Sequence, residues 1–233
     1  MCGEDMKRYA IAGLQVDMDV QGRTLTQAAP YEVEPVGKAD MVLSCDVDKV
    51  LEHNPEVGSR DLAQYMGIGT KFAYGVLDFD GFQLHSSAVM LDGKAYLFSA
   101  PSGTGKSTHT EKWCRLFGAQ LLNDDKPVLR RQQEGWIAYG TPWSGKHDLS
   151  LPVGVPLGGI AFLLRGQENT IRRMEPMEAV AHLISQAPRY LNQERMEKQL
   201  SLLDQLLQEI PVWILHCRNE DAAAYLSREA MCK

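Results

Sequence analysis

Apolar and polar residues recur along the chain with the periods of strands and of helices, which predicts a mixed α/β protein. Alternating or short continuous apolar runs predict strands over residues 14–18, 39–45, 72–78, 82–91, 94–99, 119–123, 159–164 and 212–216. Helical spacing and capping residues predict helices over 59–66, 106–117, 177–185 and 219–228. A further helical stripe is predicted to belong to the core and consists of Met196, Leu200, Leu203 and Leu207.

Three of the predicted strands lie close together before residue 100 and are joined by short turns. Asp80-Gly81 and Asp92-Gly93 both supply residues that tolerate a positive φ, so each pair predicts a hairpin turn. These strands are therefore expected to be antiparallel. In a plain doubly wound nucleotide fold, by contrast, a helix usually joins the neighbouring strands.

The stretch from Ala95 to Thr110 joins an apolar strand to a helix through a loop that carries Gly103 and Gly105. Glycines let successive backbone N–H groups point to one centre, and the following helix N-terminus adds positive potential, so such a loop can hold phosphate. In this interpretation Lys106 reaches the β- and γ-phosphates, and the Ser107 hydroxyl binds Mg²⁺. The predicted nucleotide-binding residues are Ser102, Gly103, Thr104, Gly105, Lys106, Ser107 and Thr108. The alternative is an ordinary turn that contains Gly-Lys-Ser.

One residue departs from the usual phosphate-loop pattern G-x-x-x-x-G-K-[ST]. Ala100 stands where the first glycine is expected. Alanine keeps the position small, but it would be strained if the backbone required a positive φ there.

Three titratable residues near this loop are candidates for chemistry. His85 lies in the strand predicted to pair with the loop strand, so it is expected near the phosphates, where it binds a divalent cation or exchanges a proton. Asp124 and Asp125 end a short strand that we expect to run parallel to the loop strand. Adjacent residues of an extended chain point to opposite faces, so one carboxylate is expected to hold Mg²⁺ and the other to accept the proton of an attacking hydroxyl. The alternatives are a core histidine and a solvated turn.

The loop of residues 139–148 follows a predicted strand and is bounded by glycine and proline, which is typical of substrate-contacting loops. In one interpretation Trp143 forms an apolar wall for the substrate and Lys146 stabilises phosphate charge. In the other, Trp143 belongs to the core and Lys146 is solvated. Arg165 ends a buried strand and is expected to face the nucleotide.

Composition narrows the functional classes. The formal net charge is −6, from 24 basic and 30 acidic residues, which predicts no general attraction to nucleic acid or to an anionic membrane. No apolar run approaches the ~18 residues of a membrane span, and the first residues lack the apolar core of a signal peptide. The five cysteines have no C-x-x-C spacing, which indicates reduced thiols. We therefore expect a cytoplasmic protein.

Three ordered motifs resemble one known nucleotide core. They are His85-Ser-Ser-Ala-Val, Ala100-Pro-Ser-Gly-Thr-Gly-Lys-Ser-Thr and Leu122-Asn-Asp-Asp-Lys, and the resemblance covers residues 72–162. This run is similar to the core shared by HPr serine kinases and ATP-dependent phosphoenolpyruvate carboxykinases, and most similar to the smaller HPr kinase-like proteins. The resemblance implies that His85 and Asp125 belong to the metal site and that the paired aspartates supply a metal ligand and the catalytic carboxylate.

Two departures argue against the best-known reactions of that group. The chain lacks the large N-terminal domain and the arginine set that bind oxaloacetate in carboxykinases, so decarboxylating chemistry is not expected. HPr kinases have Ser-Glu where this chain has Ser107-Thr108, and their arginine-rich loop for HPr has no equivalent here. The resemblance therefore does not extend to HPr as the acceptor or to reverse phosphorolysis.

The sequence thus predicts an α/β fold of the HPr kinase/PEP carboxykinase type. A P-loop kinase core with a mixed sheet spans residues 72–233, and a β-rich N-terminal segment, residues 1–71, packs on it. The predicted function is transfer of the γ-phosphoryl group of ATP, with Mg²⁺, to a hydroxyl of a small molecule, peptide or protein serine. The alternatives are an ATP-binding regulatory module without efficient transfer and, less favoured, a carboxykinase-like lyase. The predicted partners are the nucleotide and the hydroxyl-bearing substrate, with no nucleic acid and no membrane, and a homo-oligomer is left open.

Overall fold

The computed structural model describes residues 6–101, 103–145 and 147–232. Its strands are β1 (Lys7–Ile11), β2 (Leu14–Met18), β3 (Met41–Leu43), β4 (Gly81–Gln83), β5 (Ser86–Leu91), β6 (Lys94–Ser99), β7 (Gln120–Asn123), β8 (Val128–Gln132), β9 (Gly135–Tyr139), β10 (Gly154–Arg165), β11 (Thr170–Arg173) and β12 (Val212–Cys217). Its α-helices are α1 (Gly22–Ala28), α2 (Val47–His53), α3 (Arg60–Gly75), α4 (Lys106–Phe117), α5 (Pro176–Gln186), α6 (Gln193–Glu209) and α7 (Asp221–Met231). None of these helices is both long and apolar enough to cross a membrane. The predicted mixed α/β class is confirmed.

The central sheet is mixed and contains nine strands within the described ranges. Along its main path the order is β4-β8-β9-β10-β6-β5-β7, and β12 joins β10 while β11 joins β12. Strand β10 is parallel to β6 and to β12, whereas β5 is antiparallel to both β6 and β7. Strands β6, β10 and β12 therefore end at the same edge of the sheet, and α4 begins at that edge.

The hairpin predicted at Asp92-Gly93 is confirmed. Leu91 pairs with Lys94, and the two turn residues have φ angles of 51° and 76°. Two positive φ angles are typical of a two-residue hairpin loop, and glycine adopts them without steric cost. The turn fixes the register of β5 on β6, so the first residue of β5 lies beside the last residue of β6.

The predicted strand 72–78 is wrong, because these residues form the end of α3 and a following 3₁₀ turn. The helix continues this far because Ile68, Phe72 and Val76 are all fully buried and recur at helical spacing. Asp80-Gly81 consequently follows the 3₁₀ turn and does not connect two paired strands.

The ends of two helices agree with their local signals. The Ser59 side chain accepts a hydrogen bond from Leu62 N, which caps α3 where the predicted helix 59–66 begins. Helix α4 ends before Gly118, whose φ of 70° is the left-handed conformation that stops many helices.

The predicted strand 82–91 is two strands with a break between them. Strand β4 pairs with β8, whereas β5 pairs with β6 and β7. Between them, Leu84 N donates to Pro127 O at 3.1 Å and His85 N donates to Gln186 O at 2.8 Å. His85 therefore lies at a junction between two parts of the sheet and not in the middle of a strand.

The N-terminal segment is more helical than the predicted β-rich layer. Strands β1, β2 and β3 form a separate three-stranded sheet, and α1, α2 and α3 belong to the same segment. One hydrophobic cluster contains Tyr9 and Phe72 from this segment together with Val128 and Trp143 from later in the chain. The predicted boundary at residues 71–72 falls inside α3, so this helix connects the segment directly to the rest of the chain.

The helical stripe predicted on α6 is only half in the core. Leu203 is buried and Leu207 packs against the core, but Met196 and Leu200 are 45% and 42% exposed. The prediction is wrong for these two because apolar residues lie on more than one face of the helix. The buried face consists of Gln199, Leu202, Leu203 and Leu206.

Helix α4 is fixed to α7 through a buried polar contact. His109 Nε2 lies 3.0 Å from Ser227 Oγ, and Trp113 Nε1 donates to the same oxygen at 2.9 Å. Burial lowers the pKa of His109 to about 3, and the charge of Lys112 acts in the same direction. The folded protein therefore holds His109 neutral.

Acid is expected to destabilise the protein through His109. Between its folded pKa of about 3 and its ordinary value of 6.5, the unfolded chain binds more protons than the folded chain. The contribution of neutral His109 to the free energy of unfolding is complete above the ordinary pKa of 6.5. It decreases as the pH falls, so that about 2 kcal/mol is lost by pH 5. Urea denaturation of the wild type and of His109→Gln at pH 7 and pH 5 measures this loss. The acid-induced loss should be smaller by about 2 kcal/mol in the variant, and equal losses in both proteins would contradict the prediction.

Candidate functional site

The glycine loop, residues 100–105, joins the end of β6 to the start of α4. Gly103 and Gly105 have φ angles of 77° and 116°, which residues with a Cβ rarely adopt. Apart from the chain neighbours of each glycine, a Cβ at either position would meet no atom of the described residues within 4 Å, so glycine is needed for the backbone conformation and not for space. The first turn of α4 adds backbone N–H groups that have no partner within the helix. The loop and the helix start are therefore suited to binding an anion.

Ala100 occupies the place of the first glycine without strain, because its φ is not positive. Its side chain is buried in a cluster with Phe98 and Trp113. Its carbonyl oxygen accepts a hydrogen bond from Lys106 Nζ at 2.9 Å. The residue thus helps to hold the end of the lysine side chain.

Lys106 and His85 meet beside the glycine loop. Lys106 Nζ lies 3.1 Å from His85 Nε2, and most of the lysine side chain is buried. Burial lowers the pKa of Lys106, and the nearby charge of Asp125 acts in the opposite direction. An ammonium group has three donors, and the hydrogen bond to Ala100 O uses one of them.

His85 is held by contacts from three other elements. Its backbone N donates to Gln186 O, and its Nδ1 lies 2.9 Å from Gln186 Oε1 at the end of α5. Ser99 Oγ, at the end of β6, donates to His85 O at 2.8 Å. On the other side of the ring, Nε2 lies 3.1 Å from Asp125 Oδ1. The side chain is 34% exposed, so it is oriented by these contacts but is not a buried core histidine.

Asp124 and Asp125 follow the last residue of β7 in a bend, line the same cavity and have different hydrogen-bond partners. Gly145 N donates to Asp124 Oδ1, and His147 N donates to Asp124 Oδ2 at 3.3 Å. Burial raises the pKa of Asp124 even though these backbone N–H groups oppose it. Burial also disfavours the ionised form of Asp125, but the hydrogen bond and charge of His85 outweigh it and lower the pKa of Asp125. The two carboxyl groups therefore differ in proton affinity.

Strand β7, which ends directly before the aspartates, runs in the same direction as β6, as predicted, although β5 lies between them. Its last residue, Asn123, is buried, and its Nδ2 donates to Thr141 O at 3.1 Å and to Trp143 O at 3.2 Å. Its Oδ1 accepts a hydrogen bond from Asp125 N at 3.0 Å. Asn123 thus ties the strand end to the loop that supplies the N–H donors of Asp124.

The residues near the glycine loop fit a magnesium ion that arrives with a nucleotide better than a closed metal site. Among the residues that the structure describes, no group of three or more His, Cys, Asp or Glu side chains is arranged to hold a metal ion. Ser107 and Asp125 line the same cavity, and a hydroxyl and a carboxylate are oxygen donors of the kind that Mg²⁺ prefers. Mg²⁺ is usually bound through one or two carboxylates together with substrate phosphates. The third predicted ligand, His85, already contacts Lys106 and Asp125 through Nε2.

Two cavities flank the glycine loop. The first, of 430 Å³, lies toward the ends of β10 and β12, and its lining includes Thr104, Thr108, Lys112, Arg165 and Arg218. The second, of 760 Å³, is lined on the loop side by His85, Lys106, Ser107, Asp124 and Asp125. Its opposite side is formed by α1 and α3. The predicted catalytic residues therefore face one shared cavity.

The structure places the predicted substrate residues in different environments. Arg165 Nη2 donates to Gly103 O at 3.0 Å, so this side chain lies against the glycine loop. Trp143 is 1% exposed and stacks on a ring of α3, so the predicted apolar wall is wrong and the core interpretation is correct. Lys146, and Ser102 of the predicted nucleotide loop, lie outside the described residues.

Two residues that contact the site were missed by the sequence analysis. Gln186 contacts His85 from 101 positions away, and Arg23 reaches the second cavity from α1. Neither residue belongs to a motif or to a periodic pattern around the loop. Their contribution follows only from the three-dimensional arrangement of the chain.

Comparisons with known proteins place the chain in one family. Residues 70–220 match the family described as SynChlorMet cassette protein ScmC. Comparison with curated proteins finds no matching sequence. Among solved structures, the chain is similar to the HPr(Ser) kinase/phosphatase from Coxiella burnetii, with 12% identity and a TM-score of 0.37 over 64% of this chain and 95% of that chain. A likeness at this level establishes neither a shared site nor a shared activity. Because the family match spans more than half of the sequence, the chain belongs to the ScmC family of SynChlorMet cassette proteins.

Proposed function

We propose that the protein is an ATP-dependent phosphotransferase that transfers the γ-phosphoryl group, with Mg²⁺, to a hydroxyl. The observation that carries the proposal is the convergence of Lys106, His85 and Asp125 beside the glycine loop. His85 Nε2 lies 3.1 Å from Lys106 Nζ and 3.1 Å from Asp125 Oδ1. Phosphoryl transfer depends on positioning and charge stabilisation, and an anion-binding loop with a cation and a carboxylate in one cavity provides both.

Each residue of the site has a role in this proposal. The backbone N–H groups of the glycine loop and the Lys106 ammonium bind phosphate oxygens. Ser107 and Asp125 hold Mg²⁺, which neutralises phosphate charge. The oxygen of the acceptor hydroxyl bonds to the γ-phosphorus while the bond from this phosphorus to the ADP oxygen breaks. Asp124 accepts the proton that the hydroxyl loses in this step. His85 keeps Lys106 and Asp125 in position.

The opposite pKa shifts of the two aspartates support this division. Burial raises the pKa of Asp124, which makes its carboxylate a better proton acceptor. The pKa of Asp125 is lowered because His85, together with the charges of Lys126 and Lys106, outweighs the effect of burial, so Asp125 stays ionised and suits a cation.

Replacing Asp124 with asparagine is expected to reduce turnover about 100-fold, because the amide keeps the size of the side chain but cannot accept the proton. In the wild type, kcat/KM should fall as the pH drops through the raised pKa of Asp124, since only the ionised form is active. The Asp124→Asn variant should not show this decrease of kcat/KM at low pH. The measurement is transfer from labelled ATP to hydroxylated metabolites and peptides across a range of pH. Asp125→Asn, by comparison, should raise the Mg²⁺ concentration needed for half-maximal turnover. Unchanged turnover in Asp124→Asn would contradict the assignment.

A module that binds ATP without transfer is the main alternative function. Ala100 in place of the first glycine gives this alternative no support, because Ala100 has no positive φ and its carbonyl oxygen accepts a hydrogen bond from Lys106. Tight binding of MgATP without transfer to any acceptor would favour the module. Bicarbonate-dependent turnover of phosphoenolpyruvate would instead indicate a lyase.

A further inference from the structure

The N-terminal segment contributes a wall to the cavity that contains Lys106 and Asp124. Helix α1 contributes Arg23 to this wall, and α3 contributes Leu62, Tyr65 and Met66. The wall and the glycine loop line the same cavity of 760 Å³. An acceptor that reaches Asp124 therefore has to fit between the loop and these side chains.

The wall is hydrogen-bonded to Ser144 and Asp148 in the loop of residues 139–148. Arg23 Nη2 donates to Asp148 Oδ1 at 2.5 Å. Ser144 N donates to the Tyr65 hydroxyl at 2.8 Å, and this hydroxyl also lies 3.3 Å from Ser144 O. These contacts link α1 and α3 to the loop that supplies the N–H donors of Asp124. A cavity bounded in this way suits a small molecule better than a protein surface.

Two polar side chains of the cavity lining have unused hydrogen-bonding capacity. Arg23 is 33% exposed, its guanidinium lies 4.5 Å from the centre of the Tyr65 ring, and its Nε has no hydrogen-bond partner among the described residues. Ser144 is 5% exposed, and within the same ranges its Oγ has no partner either. Buried polar atoms without partners are rare in folded proteins, and such atoms at a cavity are an indication of a polar ligand.

The cavity lining contains cationic groups that suit an anionic ligand. Arg23, Lys106 and Lys126 line the cavity together with Asp124 and Asp125. The Asp124 carboxylate is engaged by two backbone N–H groups, and Asp148 pairs with one Nη of Arg23. A guanidinium group matches carboxylate and phosphate groups because it presents parallel N–H donors. Stacking on Tyr65 holds the guanidinium plane in one orientation.

We propose that the acceptor is a small hydroxyl compound with an anionic group, a carboxylate or a phosphate, that binds Arg23 while the hydroxyl faces Asp124. This inference rests on the proposed phosphotransfer at the same site. Arg23 then selects anionic acceptors over neutral polyols, and the N-terminal segment determines the acceptor specificity of the enzyme.

Equilibrium binding of three matched probes tests the inference without turnover. Glycerol, glycerate and glycerol 3-phosphate share one skeleton and differ in their anionic group, so the two anions also separate a carboxylate from a phosphate. Each is titrated by calorimetry into the full chain with Mg²⁺ and a non-hydrolysable ATP analogue. At least one anion should bind the wild type about 10- to 100-fold more tightly than glycerol, as expected for hydrogen bonds to a charged group, and Arg23→Met should remove this preference.

Two further variants separate ligand binding from loosening of the wall. Asp148→Asn removes the same ion pair as Arg23→Met but keeps the guanidinium, so it should retain the preference for the anion. Arg60→Met, whose ion pair with Asp48 lies in the same segment outside the cavity, should also retain it. Equal binding of all three probes, an unchanged preference in Arg23→Met, or tighter binding of a seryl peptide than of either anion would overturn the inference. Binding of the ATP analogue alone depends on Lys106 and not on Arg23, so its absence would indicate failure of the proposed function instead.

Discussion

Replacing Lys106 with alanine is expected to lower ATP-dependent phosphoryl transfer about 1,000-fold. Lys106 Nζ donates to Ala100 O at 2.9 Å and lies 3.1 Å from His85 Nε2, so the ammonium is in place before a phosphate binds. A cation that is already positioned stabilises developing charge without the cost of reorganisation, and this effect is among the largest in enzymes. Alanine removes the charge and leaves the glycine loop to hold the phosphates alone.

The fold should tolerate the change from Lys106 to alanine. Burial lowers the pKa of Lys106, which means that the fold disfavours the buried ammonium to some degree. Lys94→Ala is the matched control, because Lys94 is exposed at the opposite end of the strand that leads into the glycine loop. Transfer from labelled ATP and calorimetric binding of MgATP should be unchanged in the control and impaired in Lys106→Ala, with thermal unfolding similar in both. Full activity in Lys106→Ala would remove the proposed function.

The elements around the glycine loop could be predicted because their signals are local. The positive φ angles at Asp92-Gly93 and at Gly118 follow from residue types that tolerate them. The apolar run of β6 and the start of α4 at Lys106 are adjacent in sequence to the loop they hold. Such signals depend on neighbouring residues only, so they can be recognised without knowledge of the tertiary structure.

The error at residues 72–78 has a different origin. Phe72, Tyr74 and Val76 alternate as in a strand, but Ile68, Phe72 and Val76 also have helical spacing. A short apolar run is compatible with both structures, and tertiary packing decides between them. Here Phe72 and Val76 are buried in one cluster with residues of β1, β2 and β3, which favours the helix.

The candidate site was predictable in its residues but not in all of its contacts. The sequence predicted that the carboxylates of Asp124 and Asp125 point to opposite faces, whereas in the structure both residues follow β7 in a bend and line one cavity. It did not indicate that Gly145 N and His147 N would hold Asp124, since this depends on how the following loop folds back. The contacts of Gln186 with His85 join distant parts of the chain, and no local pattern encodes them.

Trp143 shows how packing distinguishes a core residue from a substrate contact. Its ring stacks on Phe72 with 4.8 Å between the ring centres, and its Nε1 donates to Tyr65 O at 3.1 Å. A Cβ at Gly69 would lie 2.5 Å from Trp143 Cδ1, so the helix can approach the indole only because this residue is glycine. The indole therefore packs between α3 and the loop that follows Thr141.

Replacing Trp143 with alanine is expected to reduce the free energy of unfolding by about 3–5 kcal/mol, the range observed when a large buried aromatic side chain is removed. Trp143→Phe should lose less, because it keeps a ring against Phe72, although it loses the bond to Tyr65 O and part of the packed volume. Urea denaturation measures both losses, and at low denaturant the binding of MgATP should change little, since the Trp143 side chain does not line either cavity beside the glycine loop. A loss below about 1 kcal/mol together with weakened acceptor binding would instead support the substrate-wall interpretation, because a side chain that contacts the ligand contributes to binding more than to folding.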